Sequence, residues 1–338
     1  MSSKILLIYT GGTIGMKTDA DGVLTPFDFN LIYQEFPSLR SIDTEIEVLP
    51  FDPIDSSNVS PELWERLARI IERNYDLYDG FVVLHGTDTM AYSASALSFM
   101  FDGLAKPVIF TGSQIPIGVL RTDGRENLIT AVEIAAAKLP DGRARVPEVC
   151  IYFQNRLLRA NRTKKTSAEE LNAFASYNYP PLAEVGVTIQ YNDAFIHRPE
   201  EGESFAVSCD IDMSVAVIKI FPGMTERVFR SMLSVEGVKG IVLETFGSGN
   251  APTSSWFLDA LRGTIERGVV VMNVTQCWSG RVNMDIYETG ARLQSTGVVN
   301  GRDITTEAAV TKMMRLAGLP HDEFVARLGA AWRGEMGI

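Results

Sequence analysis

Short, wholly apolar runs alternate along this chain with longer stretches in which apolar residues recur three and four positions apart. Residues 5–8, 81–84, 108–110 and 149–153 are runs of Ile, Leu, Val, Phe, Cys and Tyr that read as strands buried on both faces. Between them, Ser60-Pro61-Glu62 opens a helix: Ser60 suits the cap, Pro61 the first turn, and Leu63, Leu67, Ile70 and Ile71 share one face. Residues 90–101 read as a helix apolar nearly all round, hence buried, and 127–138 as a further helix. Residues 17–26 are polar, contain glycine and lack periodicity, which predicts a loop, mobile over a site. The pattern predicts an α/β fold with a larger N-terminal doubly wound sheet.

Residues 197–208 change character: Pro199, Glu200, Glu201, Gly202 and Glu203 stand among few apolar residues and read as linker. Strand and helix signals then restart: strands at 215–220, 240–243 and 269–274, helices at 226–235, 255–267, 306–317 and 322–332. The expected organisation is a domain over 1–196, a linker over 197–213 and a smaller C-terminal α/β domain over 214–338. A length of 338 residues favours two cores over one. No internal repeat or low-complexity tract appears.

Composition narrows the function. Hydrophobic residues make up 46 % and charged residues 22 %, ordinary for a globular protein. A net charge of -11 disfavours nucleic acid and anionic membranes as partners. Cys150, Cys209 and Cys277 are few, odd in number and far apart, which argues against a disulfide framework or zinc knuckle and for a reducing compartment. With no signal-peptide or membrane-span pattern, the expected location is the cytoplasm.

Two threonine-centred segments follow predicted strands: Tyr9-Thr10-Gly11-Gly12-Thr13-Ile14-Gly15, and His85-Gly86-Thr87-Asp88-Thr89. In an open parallel sheet, ligands sit beyond the strand carboxyl ends. Hydroxyls between glycines there suggest a threonine nucleophile. The alternative for Thr13 is a turn residue, and its loop lacks the Gly-Lys-Ser/Thr ending of a phosphate loop. Asp88 beside Thr87 either orients a substrate amine or a lysine base, or caps the helix near Met90. His85 reads as a structural hydrogen-bonding residue rather than a base. Asp55-Ser56-Ser57-Asn58 presents hydroxyls and N–H groups to a ligand carboxylate, or merely extends a cap. Lys164 and Lys165 form a solvated pair unless one is desolvated beside Asp88.

Together these residues resemble the asparaginase family, specifically its type I, cytoplasmic L-asparaginases. The resemblance rests on Thr10-Gly11-Gly12-Thr13-Ile14-Gly15-Met16, Asp55-Ser56-Ser57, His85-Gly86-Thr87-Asp88-Thr89-Met90-Ala91-Tyr92 and Thr111-Gly112-Ser113-Gln114-Ile115-Pro116. Asn161-Arg162-Thr163, Gly247-Ser248-Gly249-Asn250-Ala251-Pro252 and Thr275-Gln276-Cys277 extend it over nearly the whole chain. It implies cofactor-free hydrolysis of L-asparagine to L-aspartate and ammonia. Thr13 matches the nucleophile and Thr87, Asp88 and Lys165 the second triad; Lys165 is preferred to Lys164 by its spacing to Phe174. Asp55, Ser56 and Ser57 match the binders of the α-carboxylate, Asp88 that of the α-ammonium, and the backbone near Ser113 accepts from the side-chain amide. The resemblance also implies a homo-oligomer, a dimer of dimers, in which Asn250 approaches a neighbouring subunit's site.

Two positions depart from the family pattern. Val23 stands where the family has a tyrosine in the loop after the nucleophile, so a water, Lys17 or Asp19 becomes the candidate activator of Thr13. Glu244 replaces an arginine of a regulatory asparagine pocket that would otherwise include Thr275 and Cys277, so regulation by asparagine is expected to be absent or altered. The competing readings are the amidase subunit of a tRNA-dependent amidotransferase and a non-catalytic amino-acid-binding protein.

Overall fold

The apolar runs become central strands because helices cover both faces of the sheet they form. In the computed structural model the described residues are 2–18, 24–26, 32–200, 202–285 and 288–337. They divide into two compact units, Met1–Ser208 and Cys209–Ile338. The first unit contains, in chain order, β1 (Ser3–Tyr9), β2 (Met16–Thr18), β3 (Leu24–Pro26), α1 (Ile32–Glu35), β4 (Thr44–Pro50), α2 (Pro61–Asn74), β5 (Gly80–Leu84), α3 (Met90–Met100) and β6 (Phe101–Asp102). It continues with β7 (Val108–Thr111), α4 (Gly124–Ala136), β8 (Val149–Phe153), β9 (Arg156–Arg159), β10 (Lys164–Lys165), β11 (Phe174–Ala175), β12 (Ala183–Val185), β13 (Ile189–Tyr191) and β14 (Ala206–Val207).

Eight of these strands form one sheet in the order β13-β12-β9-β8-β7-β5-β1-β4. From β4 to β8 the strands are parallel, while β9 turns back antiparallel on β8, as do β12 on β9 and β13 on β12. Ile5, Leu7, Val82, Leu84 and Ile109 pack with Leu128, Ala131 and Val132 of α4 on one face. Leu6, Ile8, Phe81, Val83 and Phe110, of opposite phase, are equally buried on the other face, where α3 lies against β8. Helix α2 packs on α3, and Trp64 Nε1 donates to Ser93 Oγ at 2.9 Å between them. The expected helical face of α2 holds for Leu63, Leu67 and Ile71, joined by Trp64 and Ala68; Ser60 makes no side-chain cap bond.

Two expectations change. The ends of the polar stretch 17–26 are not irregular: β2 and β3 pair antiparallel, Lys17 opposite Thr25; residues 19–23 at its centre lie outside the described set. Residues 197–208, expected as linker, are held on the first unit. His197 N donates to Glu148 Oε1 at 2.5 Å, the Phe205 ring stacks on Tyr75 at 3.7 Å, and β14 pairs with β6. Apolar Phe205, Ala206 and Val207 supply contacts that the surrounding glutamates obscure in the sequence.

The second unit contains β15 (Val215–Lys219), α5 (Glu226–Leu233), β16 (Gly240–Thr245), α6 (Ser255–Glu266), β17 (Val270–Thr275), α7 (Glu288–Gln294), β18 (Val299–Asn300), α8 (Thr306–Leu316) and α9 (His321–Gly329). Its four strands are parallel in chain order. The α5 and α6 helices meet through Phe229 stacked on Phe257 at 4.3 Å, and α8 packs against β15, β16 and β17. A fully buried ion pair, Lys312 Nζ to Glu335 Oε1 at 2.6 Å, ties the residues after α9 to α8.

Candidate active site

The threonine loops come together at the carboxyl ends of β4, β1, β5 and β7. Strand β1 lies between β4 and β5, and β5 between β1 and β7, so the four following loops are neighbours. Backbone bonds tie them: Thr10 N donates to Leu84 O at 2.9 Å, Ile54 N to Thr10 O at 2.9 Å, and His85 N to Thr111 O at 2.9 Å. Glycine makes the approach possible. Gly12 has φ +90°, and a Cβ there would lie 2.5 Å from the Gly86 Cα. A Cβ at Gly11, φ +118°, would collide with the Ile54 carbonyl, and one at Gly86 would lie 2.6 Å from Ser56 Oγ. Thr13 and Thr87 each stand one residue beyond this glycine contact. Thr13, half-buried, opens a single 3-10 turn that ends at Gly15, where the Tyr9 hydroxyl occupies the space of a side chain. Burial pushes the Tyr9 phenol above its ordinary value, so it stays protonated at neutral pH.

Thr87, Asp88 and Lys165 meet. Lys165 Nζ donates to Thr87 Oγ1 at 2.8 Å and to Asp88 Oδ1 at 2.6 Å, across separations of 78 and 77 residues. The ammonium is mostly buried, its side chain 19 % exposed against 65 % for Asp88. Strand register puts it there: Lys165 on β10 pairs with Phe174 on β11, and Phe174, 1 % exposed, packs on Phe153 at 4.9 Å. Asp88 does not cap α3. Thr89 occupies the cap position without a cap bond and donates instead to Ser56 O at 2.7 Å. That bond ties the second threonine loop to the 55–58 turn.

In that turn Asp55 accepts from Ser57 N at 2.8 Å and Ser57 Oγ at 2.7 Å, and these bonds hold its carboxyl below the ordinary carboxylate range. Asp55 and Ser57 are exposed, while Ser56 is buried under Gly86. Ser113 is 1 % exposed, and its hydroxyl has no partner among the described residues. Gly124, the first residue of α4, would carry a Cβ 3.2 Å from Ser113 Cβ and 3.3 Å from Ile14, so this helix start lies against both loops.

His85 is fully buried, and that burial lowers its imidazole to about 4. Its Nδ1 lies 2.7 Å from Gly86 O. A carbonyl only accepts, so Nδ1 carries the proton and Nε2 is bare, without a partner among the described residues. This agrees with a structural role rather than a base.

Gln114 belongs to the 111–116 motif without an assigned role of its own, and its side chain reaches the cluster: Thr87 Oγ1 donates to Gln114 Oε1 at 3.1 Å. Asp123 supports it, accepting from Gln114 N and Ile115 N at 3.1 and 3.0 Å. Neither contact has a local sequence signal, because loop packing creates both. Val23 and Asp19 lie outside the described residues, and of Lys17 only the backbone is described.

In the second unit, Asn250 Oδ1 accepts from Thr289 Oγ1 at 2.6 Å. Thr275 Oγ1 donates to Gly247 O at 2.6 Å and accepts from Cys277 N at 3.0 Å; Cys277 is exposed and free. Glu244 is not an open negative charge. Its carboxylate accepts from Thr306 Oγ1 at 2.6 Å and lies 3.6 Å from Lys219 Nζ.

Fold and site define a two-unit α/β protein with a threonine–lysine–aspartate cluster at the carboxyl ends of a parallel sheet. The family model described as Asparaginase, N-terminal, matches residues 4–197, and the Glutaminase/Asparaginase C-terminal domain matches 214–324. L-asparaginase 1 of Escherichia coli K12 is 43 % identical over 341 residues, covering 98 % of each chain. A 60 kDa lysophospholipase of Mus musculus is 39 % identical over 94 % of this chain, which spans 59 % of that protein. The crystal structure of L-asparaginase I from Vibrio cholerae superposes with a TM-score of 0.89 at 40 % identity, covering 100 % of both chains. The chain belongs to the asparaginase family.

Proposed function

We propose that this protein is an L-asparaginase that hydrolyses L-asparagine to L-aspartate and ammonia with Thr13 as nucleophile. The observation that carries the reading is Lys165 Nζ joined to both Thr87 Oγ1 and Asp88 Oδ1, beside the loop that bears Thr13. Asparagine is a small zwitterion, and gripping both charged ends aims its carboxamide carbon at one hydroxyl. Ser56 and Ser57 take the α-carboxylate; Asp55 holds the turn that presents them; Asp88, largely exposed, takes the α-ammonium. The backbone at Ser113 accepts from the amide, and N–H groups of the glycine-flanked loops stabilise the oxyanion. A water, Lys17 or Asp19 removes the Thr13 proton. The working unit is a homo-oligomer, a dimer of dimers with Asn250 near a neighbour's site, located in the cytoplasm; Thr275 and Cys277 mark a regulatory pocket that asparagine no longer fills in the usual way.

Ammonia release from asparagine and glutamine tests the assignment. Thr13→Ala and Thr87→Ala are each expected to lose at least ~100-fold in rate, the usual scale for removing a nucleophile or its activation. Near-wild-type turnover in either variant would reject that residue's role. A non-catalytic binder would bind asparagine with no turnover in any form.

A further inference from the structure

The geometry points to Gln114 as a positioning residue that makes Thr87 a hydrogen-bond acceptor toward the substrate pocket, which rests on the reading of Thr87 as part of the asparagine-hydrolysing site. Gln114 spans two loops. Its Nε2 donates to Glu170 O at 3.2 Å, and its Oε1 lies 3.1 Å from Thr87 Oγ1. The Glu170 carbonyl can only accept, so it fixes which end of the carboxamide faces it; the oxygen must then face Thr87. A hydroxyl has one proton and two lone pairs. Lys165, an ammonium without lone pairs, donates to Thr87 and occupies one of them. The Thr87 proton therefore points to Gln114 and not to Lys165.

One lone pair remains, and it is all that Thr87 offers to an incoming group. Such a threonine accepts from a donor, either the α-ammonium of the substrate or the water that completes hydrolysis, and does not spend its proton on the substrate. The Gln114 backbone is itself pinned, because both carboxylate oxygens of Asp123 accept from Gln114 N at 3.1 Å. Asn127, which donates to Gly112 O at 2.9 Å and to Asp123 Oδ2 at 3.1 Å, closes the support behind the loop.

Two substitutions separate this role from loop anchoring. Gln114→Leu and Gln114→Glu both lose the donation to Glu170 O, but only glutamate keeps an acceptor for Thr87. Steady-state asparagine hydrolysis is measured for wild type and both variants, with melting temperatures as a folding control. Gln114→Leu is expected to lose ~10-fold in kcat, the scale of one oriented hydrogen bond. Gln114→Glu is expected to recover at least ~3-fold of that loss. Equal losses in both variants, or an unimpaired Gln114→Leu, would overturn the role of Gln114 while leaving the asparaginase reading intact. Wild-type protein that fails to turn over asparagine would overturn both.

Discussion

At the scale of single residues, small groups set the geometry and burial sets the protonation. His85 illustrates the second. Its imidazole titrates at about 4 in the fold against an ordinary 6.5. Between these values the unfolded chain binds a proton that the folded chain does not, so stability rises with pH there. The contribution is complete above 6.5 and is lost as pH falls toward 4, about 3 kcal/mol in all. Urea unfolding from pH 7 to 4 should show this slope, and His85→Gln should flatten it; an unchanged slope would contradict a neutral buried imidazole. Gly12 illustrates the first. Gly12→Ala places a side chain at φ +90° against the Gly86 backbone, and is expected to cost more than ~2 kcal/mol and most of the activity. A melting temperature like that of wild type would show that the loops can separate.

At the scale of elements, the predicted strands of the sheet's centre match the structure because they are buried on both faces and read as unbroken apolar runs. Strand β8 is one of these, and α3 is visible for the same reason. Edge elements are less legible. Strand β4 has Glu45 exposed, Ile46 buried and Glu47 paired to Lys4 at 2.6 Å, a short alternation that Leu49 and Pro50 break. Two- and three-residue strands such as β10, β12 and β13 exist only through tertiary pairing. The Lys165–Phe174 spacing was legible as a family distance, and its physical content is the β10–β11 register. Phe174→Ala is therefore expected to cost about 3 kcal/mol and to lower kcat as well, because it releases the strand that carries the Lys165 ammonium. Activity measured well below the variant's melting temperature separates the two effects, and full kcat there would show that Lys165 is placed independently of Phe174.

At the scale of the whole molecule, the family motifs made the two threonine loops and the lysine legible, although 78 residues separate Thr87 from Lys165. The ties of Gln114 and Thr89 were not, because they depend on which loop ends lie side by side. The second unit bears on regulation. The Glu244 carboxylate is engaged by Thr306 and faced by Lys219, so at that position a ligand carboxylate meets an acceptor-only group where a guanidinium would attract it. Rate against asparagine concentration is expected to be hyperbolic, and Cys277→Ser to leave its shape unchanged. A sigmoidal curve that this substitution abolishes would restore the regulatory pocket.

Close contact of the glycine loops limits how the candidate site can be redesigned. Gly11, Gly12 and Gly86 touch a neighbouring loop where a β-carbon would stand, so volume cannot be added at these three positions. A variant library aimed at longer carboxamides therefore has to leave these three glycines unchanged.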